Sequence, residues 1–486
     1  MSSAFIHPIN QKEARAPLSG WTNTAYSGER EVRLCAAFAP ETGVYRVTVR
    51  AEAGAKLFTT RRNAVSLCAP GGDFSFLTHR TEFYPQFSPV LSDDLNIYAA
   101  SVGGALSDLR IEPANARTVF VAGDSTATDQ TACAPYCPFD SHAGWGQMLP
   151  LFLPGDAVCN QAHSGLTARS FVLDGHFDIV KANMKPGDLL LIQFGHNDQK
   201  RRALQPQTEY PEWLSRIARE AMALGGVPVM LSSISRLPGF DAGGAFSALT
   251  AHAECAGRTA KAVGIPFIDL HAHTFARWLA LGEGARDYFK PGDATHTNDY
   301  GAYEIARYVA QALNALGLAD PVFPDAPFSP DLDRALSPVK PAPSRLPAPY
   351  RDLSDEEDPA VVSEGVNQGL LDPCVMYMQP RLPLPRAQFV QMLFRAARIS
   401  TRPTDGNAPY PDVFPREFDA PYAMAFREMR LSDEPLYRPD DPITRAEAEG
   451  VCVRARFPAD FSGADEVPTK YQIVRALLKG ISSSAV

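Results

Sequence analysis

Between residues 117 and 318 short, mainly apolar runs alternate with longer amphipathic ones, and nothing else in the chain limits its fold as sharply. The apolar runs are 118–122 (TVFVA), 157–160 (AVCN), 189–194 (LLLIQF), 228–232 (PVMLS) and 266–270 (PFIDL). They are too short for helices and lack the strict alternation of a strand with one wet face. They read as strands buried on both faces. Helical patterns fall near 145–152, 168–184, 209–223 and 247–263, with a last one at about 300–316. Five buried strands with helices between them predict an α/β domain with a five-stranded parallel sheet covered on both sides. A ligand of such a sheet sits beyond the carboxyl ends of its strands.

The flanks differ. Residues 1–28 carry no period and read as an N-terminal tail. Residues 29–115 hold short β-rich runs punctuated by turns such as Pro70-Gly71-Gly72, which predicts a small β-sandwich. Residues 116–320 are the α/β domain. Residues 321–350 contain nine prolines and read as a stiff linker. Residues 351–486 carry a helical pattern with an internal repeat. Arg386 in Pro385-Arg386-Ala387 and Arg445 in Thr444-Arg445-Ala446 lie 59 residues apart. Residues 467–478 read as a third, truncated copy.

Charge removes some function classes. The net charge is −9. An acidic chain gains little from counterion release, so nucleic acid is not an expected partner. No apolar run approaches the ~18 residues that span a bilayer. The N-terminus lacks a basic start followed by an apolar stretch, so the expected location is cytoplasmic, or extracellular and cell-wall associated if the N-terminus is incomplete. The eight cysteines are scattered and read as buried thiols. Cys133 and Cys137 form the one close pair, without the further ligands a zinc site wants.

Three strands run into polar residues where a catalytic edge would be. Gly123-Asp124-Ser125-Thr126 follows the first, Gln161-Ala162-His163-Ser164-Gly165 the second, and Gly195-His196-Asn197-Asp198 the third. Asp293-Ala294-Thr295-His296 follows later on a Pro-Gly turn. A serine hydroxyl needs a base, histidine supplies one near neutral pH, and a carboxylate fixes the imidazole tautomer. Glycine and asparagine supply oxyanion donors. Asp124 and Asp198 read as loop organisers, and His196 as structural. His142, His163, His271 and His273 read as surface or locally bonded, and Trp145 as packing with sugar stacking as its alternative.

The blocks GDSTATDQ (123–130), NQAHSGLTARSF (160–171), FGHNDQK (194–200) and DATHTN (293–298) resemble the SGNH/GDSL hydrolases. With GWGQMLP (144–150) they are similar to the rhamnogalacturonan acetylesterase-like branch. The resemblance covers about 117–318. It implies a flavodoxin-like α/β/α fold, with Ser125 as nucleophile, His296 as base and Asp293 as its partner. The oxyanion hole would be formed by the backbone N–H groups of Ser125 and Gly165 and the amide of Asn197. It implies no metal and no organic cofactor. Leu166 and Thr167 replace the arginine and serine common in that branch, which puts the sugar contacts in doubt, whereas Arg169, Ser170 and Phe171 fit it. The expected activity is a serine esterase acting on an acetylated plant cell-wall saccharide. The alternatives are an acylhydrolase for lipid or thioester chains and a non-catalytic saccharide-binding protein.

The string PDDPITRAEA (439–448) resembles S-layer homology repeats, which implies a cell-wall glycan as partner of the C-terminal repeats. Thr444 and Glu447 also read as a capping box, a purely structural role.

Overall fold

The computed structural model describes residues 32–39, 41–84, 96–130, 136–241, 244–325, 328–331, 353–371, 378–401, 408–413 and 419–484. The expected tail at 1–28 and most of the expected linker lie outside the described residues. The chain divides into two compact units, Met1–Pro238 with Leu249–Ser344, and Gly239–Ala248 with Arg345–Val486.

The first unit opens with β1 (Val32–Phe38), β2 (Gly43–Ala51), β3 (Lys56–Thr59), β4 (Asn63–Ser66), β5 (Gly72–Arg80), β6 (Asn96–Val102) and β7 (Leu106–Pro113). They form two antiparallel sheets, ordered β1-β6-β3-β4 and β5-β2-β7. Apolar residues of both sheets, among them Val47, Val49, Leu57, Ile97 and Leu109, bury in one cluster. Phe58, Ala64 and Ala100 instead join the core of the α/β segment.

That segment contains β8 (Thr118–Gly123), β9 (Ala157–Asn160), β10 (Leu189–Gln193) and β11 (Val227–Leu231). The next two strands, β12 (Gly239–Asp241) and β13 (Gly244–Phe246), form a hairpin belonging to the second unit. Then β14 (Phe267–Ile268) completes a five-stranded parallel sheet ordered β14-β11-β10-β8-β9. Every residue of β8, β9 and β10 is buried, which is why their sequences lack alternation. The order reverses beside β8, and the chain leaves β8 and β10 towards the same edge of the sheet.

Helices α1 (Trp145–Met148), α2 (Ala168–Leu173), α3 (His176–Asn183), α4 (Tyr210–Ala223), α5 (Thr250–Val263), α6 (Leu270–Leu281) and α7 (Asp299–Ala315) belong to this segment. The single helix expected over 168–184 is two. Gly175, at φ 88° in the left-handed region, breaks it before His176. Thr167 starts α2 by accepting from the Ser170 N–H. Helix α6 was not expected, because LHAHTFARWLAL carries little polar–apolar contrast.

The second unit contains α8 (Pro359–Asn367), α9 (Arg386–Ala396), α10 (Ala420–Glu428), α11 (Arg445–Arg454) and α12 (Lys470–Ser484). Their apolar faces, including Phe389, Leu393, Phe426, Val451 and Leu477, share one core. Four of the helices close alike. The N–H groups of Leu370, Ile399, Leu431 and Phe457 bond to the carbonyls of Gly365, Phe394, Phe426 and Cys452, each five residues back. The residue before each, Gly369, Arg398, Arg430 or Arg456, takes a positive φ of 52–70°. Thr444 and Glu447 form a capping box at α11, and Thr469 N–H donates to Gln472 Oε1 (3.0 Å) before α12.

Among the described residues no helix is long and apolar enough to cross a membrane. Cys159, Cys255 and Cys452 are free buried thiols and Cys68 a free exposed one, whereas Cys133 lies outside the described residues.

Candidate active site

The sheet register builds the site. Gln193 at the end of β10 lies opposite Gly123 at the end of β8, and Val121 opposite Asn160 of β9. The three polar runs therefore emerge side by side. Ser125 Oγ lies 2.8 Å from His296 Nε2. His296 Nδ1 lies 2.7 Å from Asp293 Oδ2. The Asp293 Oδ1 atom accepts the backbone N–H groups of Thr295 (2.7 Å) and His296 (3.0 Å). Carboxylate and imidazole are thus held on one loop as a unit. Burial works to raise the Asp293 pKa, but the His296 contact and these N–H donors hold it well below the usual carboxylate range. Asp293 therefore stays ionised while it orients the imidazole.

Gly165 adopts φ 82°, a left-handed conformation that a side chain resists. Among the described residues the backbone N–H groups of Ser125 and Gly165 are given to no other protein group. Asn197 Nδ2 donates to Leu166 O at 3.0 Å, and its Oδ1 accepts Lys200 Nζ at 3.2 Å. One amide hydrogen is committed and the amide plane is fixed. At Gly195 a Cβ would come within 2.1 Å of Ser233 Oγ, so only glycine lets β10 turn into this loop.

Other sequence readings meet mixed outcomes. Trp145 is packing, as expected: it is fully buried and donates to Gln193 Oε1 (2.7 Å), which removes sugar stacking as its alternative. His142, His163 and His271 are buried rather than on the surface, and His163 Nδ1 makes the local hydrogen bond expected of it, to Ser164 O (3.0 Å). Burial pushes His142 well below the ordinary histidine value, with Lys290 and His296 adding to the effect. Asp198 is buried and accepts the Ala168 N–H (2.9 Å), as a loop organiser should. Burial nevertheless pushes its carboxyl up to about 7, within the working range of an esterase. His196 is buried, 3.4 Å from Asp124. Burial would raise Asp124, but His196 and Thr126 keep it below the ordinary value. Of the two residues that depart from the branch pattern, Thr167 caps α2, and Leu166 is buried with its carbonyl on Asn197.

Sequence reasoning missed the support behind the loops. Gln130 Nε2 donates to Ser125 O (2.6 Å). Asn298 caps α7, accepting from Tyr300 and Gly301 N–H. Arg62, from the N-terminal strands, is fully buried against Asp299 (2.8 and 2.9 Å) and also donates to the carbonyls of Gln130 and His142. Arg61 pairs with Asp129 (3.0 Å), donates to Asn160 O (2.9 Å) and lies 4.2 Å over the Phe83 ring.

The GDSL-like Lipase/Acylhydrolase family model matches residues 121–303, from β8 through Asp293 and His296 into α7. The rhamnogalacturonan acetylesterase RhgT of Bacillus subtilis is 37% identical over 217 residues, covering 41% of this chain and 90% of that protein. The chain belongs to the GDSL hydrolase family. As a GDSL hydrolase it is a carboxylic ester hydrolase built on the α/β fold with a parallel five-stranded sheet. It is also 28% identical to the rhamnogalacturonan acetylesterase of Emericella nidulans, over 44% of this chain and 92% of that one. The solved structure of Bacillus subtilis YxiM aligns with this GDSL hydrolase at 25% identity and a TM-score of 0.39, over 60% of this chain and 83% of that one.

Proposed function

We propose that this GDSL hydrolase is a serine esterase that removes acetyl groups from an acetylated plant cell-wall saccharide such as rhamnogalacturonan. The observation that carries the mechanism is the unbroken line from Ser125 Oγ to His296 Nε2 (2.8 Å) and from His296 Nδ1 to Asp293 (2.7 Å). His296 takes the Ser125 proton as Oγ attacks the acetyl carbonyl. The oxyanion lies against the N–H groups of Ser125 and Gly165 and the second amide hydrogen of Asn197. His296 then returns the proton to the departing sugar hydroxyl and activates a water that releases acetate. These steps call on no metal and no organic cofactor. The acetylated saccharide rests on the names of the two acetylesterase relatives.

Acetate release from acetylated rhamnogalacturonan, followed beside 4-nitrophenyl acetate hydrolysis, tests both parts. Ser125→Ala is expected to lower kcat by roughly 10⁴-fold or more on each substrate. Full activity in that variant removes the mechanism. Hydrolysis of the small ester with no acetate from the polysaccharide removes the substrate.

The same reading extends to the flanks. The two antiparallel sheets are taken as a small β-sandwich, supported by their shared apolar cluster. The C-terminal helices are taken as copies of one S-layer-homology-like unit. Their matching C-terminal caps support this, as does the positive φ at both Gln379 and Arg438, 59 residues apart. A cell-wall glycan is the partner such repeats would bind, and loss of wall-polysaccharide pull-down on deleting 351–486 is its test.

A further inference from the structure

One buried group beside the catalytic loop has no task in the reaction above. The His142 ring stands edge-on to that of His296, centroids 5.0 Å and planes 78° apart. The residue is 4% exposed, and its Nε2 has no hydrogen-bond partner among the described residues. A buried polar atom left without a partner has given up water and gained nothing in exchange. Its backbone is fixed. The Ala143 N–H donates to Thr297 O (3.0 Å), Thr297 Oγ1 donates to Ala143 O (2.8 Å), and Arg62 donates to His142 O. The backbone of His142 is therefore held beside the catalytic loop. Ligand atoms of His142, Asp293 and His296 all lie within 4.8 Å of one another.

Two imidazoles and one carboxylate with a fourth position open form the donor set that zinc takes. Hard cations such as Mg²⁺ avoid imidazole. We propose that His142, Asp293 and His296 form an inhibitory binding site for a divalent transition metal, zinc first. The inhibition rests on the proposed roles of Ser125 and His296, whereas the binding does not. Tetrahedral zinc at roughly 2.0–2.1 Å from each ligand sets its donors about 3.4 Å apart. The Asp293–His296 contact (2.7 Å) thus opens slightly around the ion, while His142, within 4.8 Å of both, closes on it. Asp293 lies on the Nδ1 side of the His296 ring, so an ion held by all three residues takes Nδ1 in place of the proton that Nδ1 shares with Asp293 Oδ2. The ring's one proton then sits on Nε2, which can no longer accept the proton of Ser125. The Asp293 charge favours the ion, whereas Lys290 and Arg62 oppose it, so the site suits reversible occupation.

The full chain hydrolysing 4-nitrophenyl acetate is titrated with ZnCl₂, with MgCl₂ as control and EDTA added at the end. Zinc is expected to inhibit, EDTA to restore the rate, and magnesium to do nothing. In His142→Asn, scaled to its own metal-free rate, the zinc inhibition constant is expected to rise roughly 10–100-fold. An equal constant in both proteins overturns the site. Binding is read separately as the visible absorption of tetrahedral Co²⁺ in the otherwise wild-type chain and in Ser125→Ala. This arm needs neither turnover nor the His142 variant to fold. Tetrahedral bands displaced by zinc support the site, and their absence overturns it. Bands in a chain that hydrolyses no ester would leave the metal site standing and remove the esterase reading.

Discussion

In the proposed mechanism Asn197 answers two demands with one amide. Its bonds to Leu166 O and Lys200 Nζ hold the group in place before any substrate arrives. A donor fixed in advance costs nothing to reorganise when charge develops on the oxyanion. Asn197→Ala is therefore expected to lower kcat by about 10²–10³, near 3 kcal/mol of barrier, with KM little changed. Unchanged steady-state kinetics on 4-nitrophenyl acetate would take Asn197 out of the oxyanion hole. Asn197→Asp should be worse than alanine, because a carboxylate would face the oxyanion with a like charge. Leu166 enters this argument through its backbone carbonyl, a group that any residue at this position supplies.

The turn between β3 and β4 joins the N-terminal sheets to the catalytic segment. Arg61 and Arg62 both take left-handed backbone conformations, φ 60° and 63°, at a cost of about 1–2 kcal/mol each. What offsets this is the guanidinium of Arg62, buried against a carboxylate at the first residue of α7, three positions past His296. Arg62→Met leaves the Asp299 charge buried and unpaired, and is expected to destabilise the first unit by about 3–5 kcal/mol in urea denaturation. Adding Asp299→Asn should recover much of that loss, because the buried charge goes too. A single variant within 1 kcal/mol of wild type would show that the pair carries no such weight. This is also where sequence reading ran out. Ser125, Gly165 and Asn197 stood out because polar residues follow apolar strands, and Asp293 and His296 because they lie three apart on a Pro-Gly turn. The sequence Thr59-Thr60-Arg61-Arg62-Asn63 has the composition of a solvated turn, and the partner of Arg62 lies 237 residues away. No local period marks such a pairing. His142 was passed over for the same reason. Its environment is made by Thr297 and Arg62, which only the folded chain brings near. The break between α2 and α3 was legible in principle from Asp174-Gly175, but the apolar period on either side masked it.

At the scale of the whole chain, the ten histidines and four tryptophans all lie before residue 297, and the segment from 345 onward has neither. Burial lowers His79, His252 and His271 to about 4 and His176 to about 3. These groups stay neutral in the folded first unit while an unfolded chain protonates them near 6.5. Unfolding therefore takes up protons between about pH 6.5 and 4, and stability falls as pH falls through that window. Asp198 works in the opposite sense. Its folded value near 7 lies above the unfolded one, so it adds stability as pH drops from 7 towards 4. Burial also raises Asp129 and Asp299 and lowers His142, His196 and His273, so the lowered imidazoles outnumber the raised carboxyls and the net effect is acid destabilisation. In the second unit Glu357 and Glu447 are held below the ordinary glutamate value, by burial outweighed by Ser354 in the first case and by Thr444 and Arg386 in the second. Their contribution is lost only at lower pH, beneath the histidine window. Urea denaturation at pH 7 and pH 5 separates the two behaviours. Tryptophan fluorescence reports the first unit alone, and its midpoint should fall by the equivalent of more than about 1 kcal/mol per pH unit. Far-ultraviolet circular dichroism should retain a helical component whose midpoint hardly moves. If both signals shift together by the same amount, the buried histidines do not set the acid limit of the first unit separately, and the two units unfold as one.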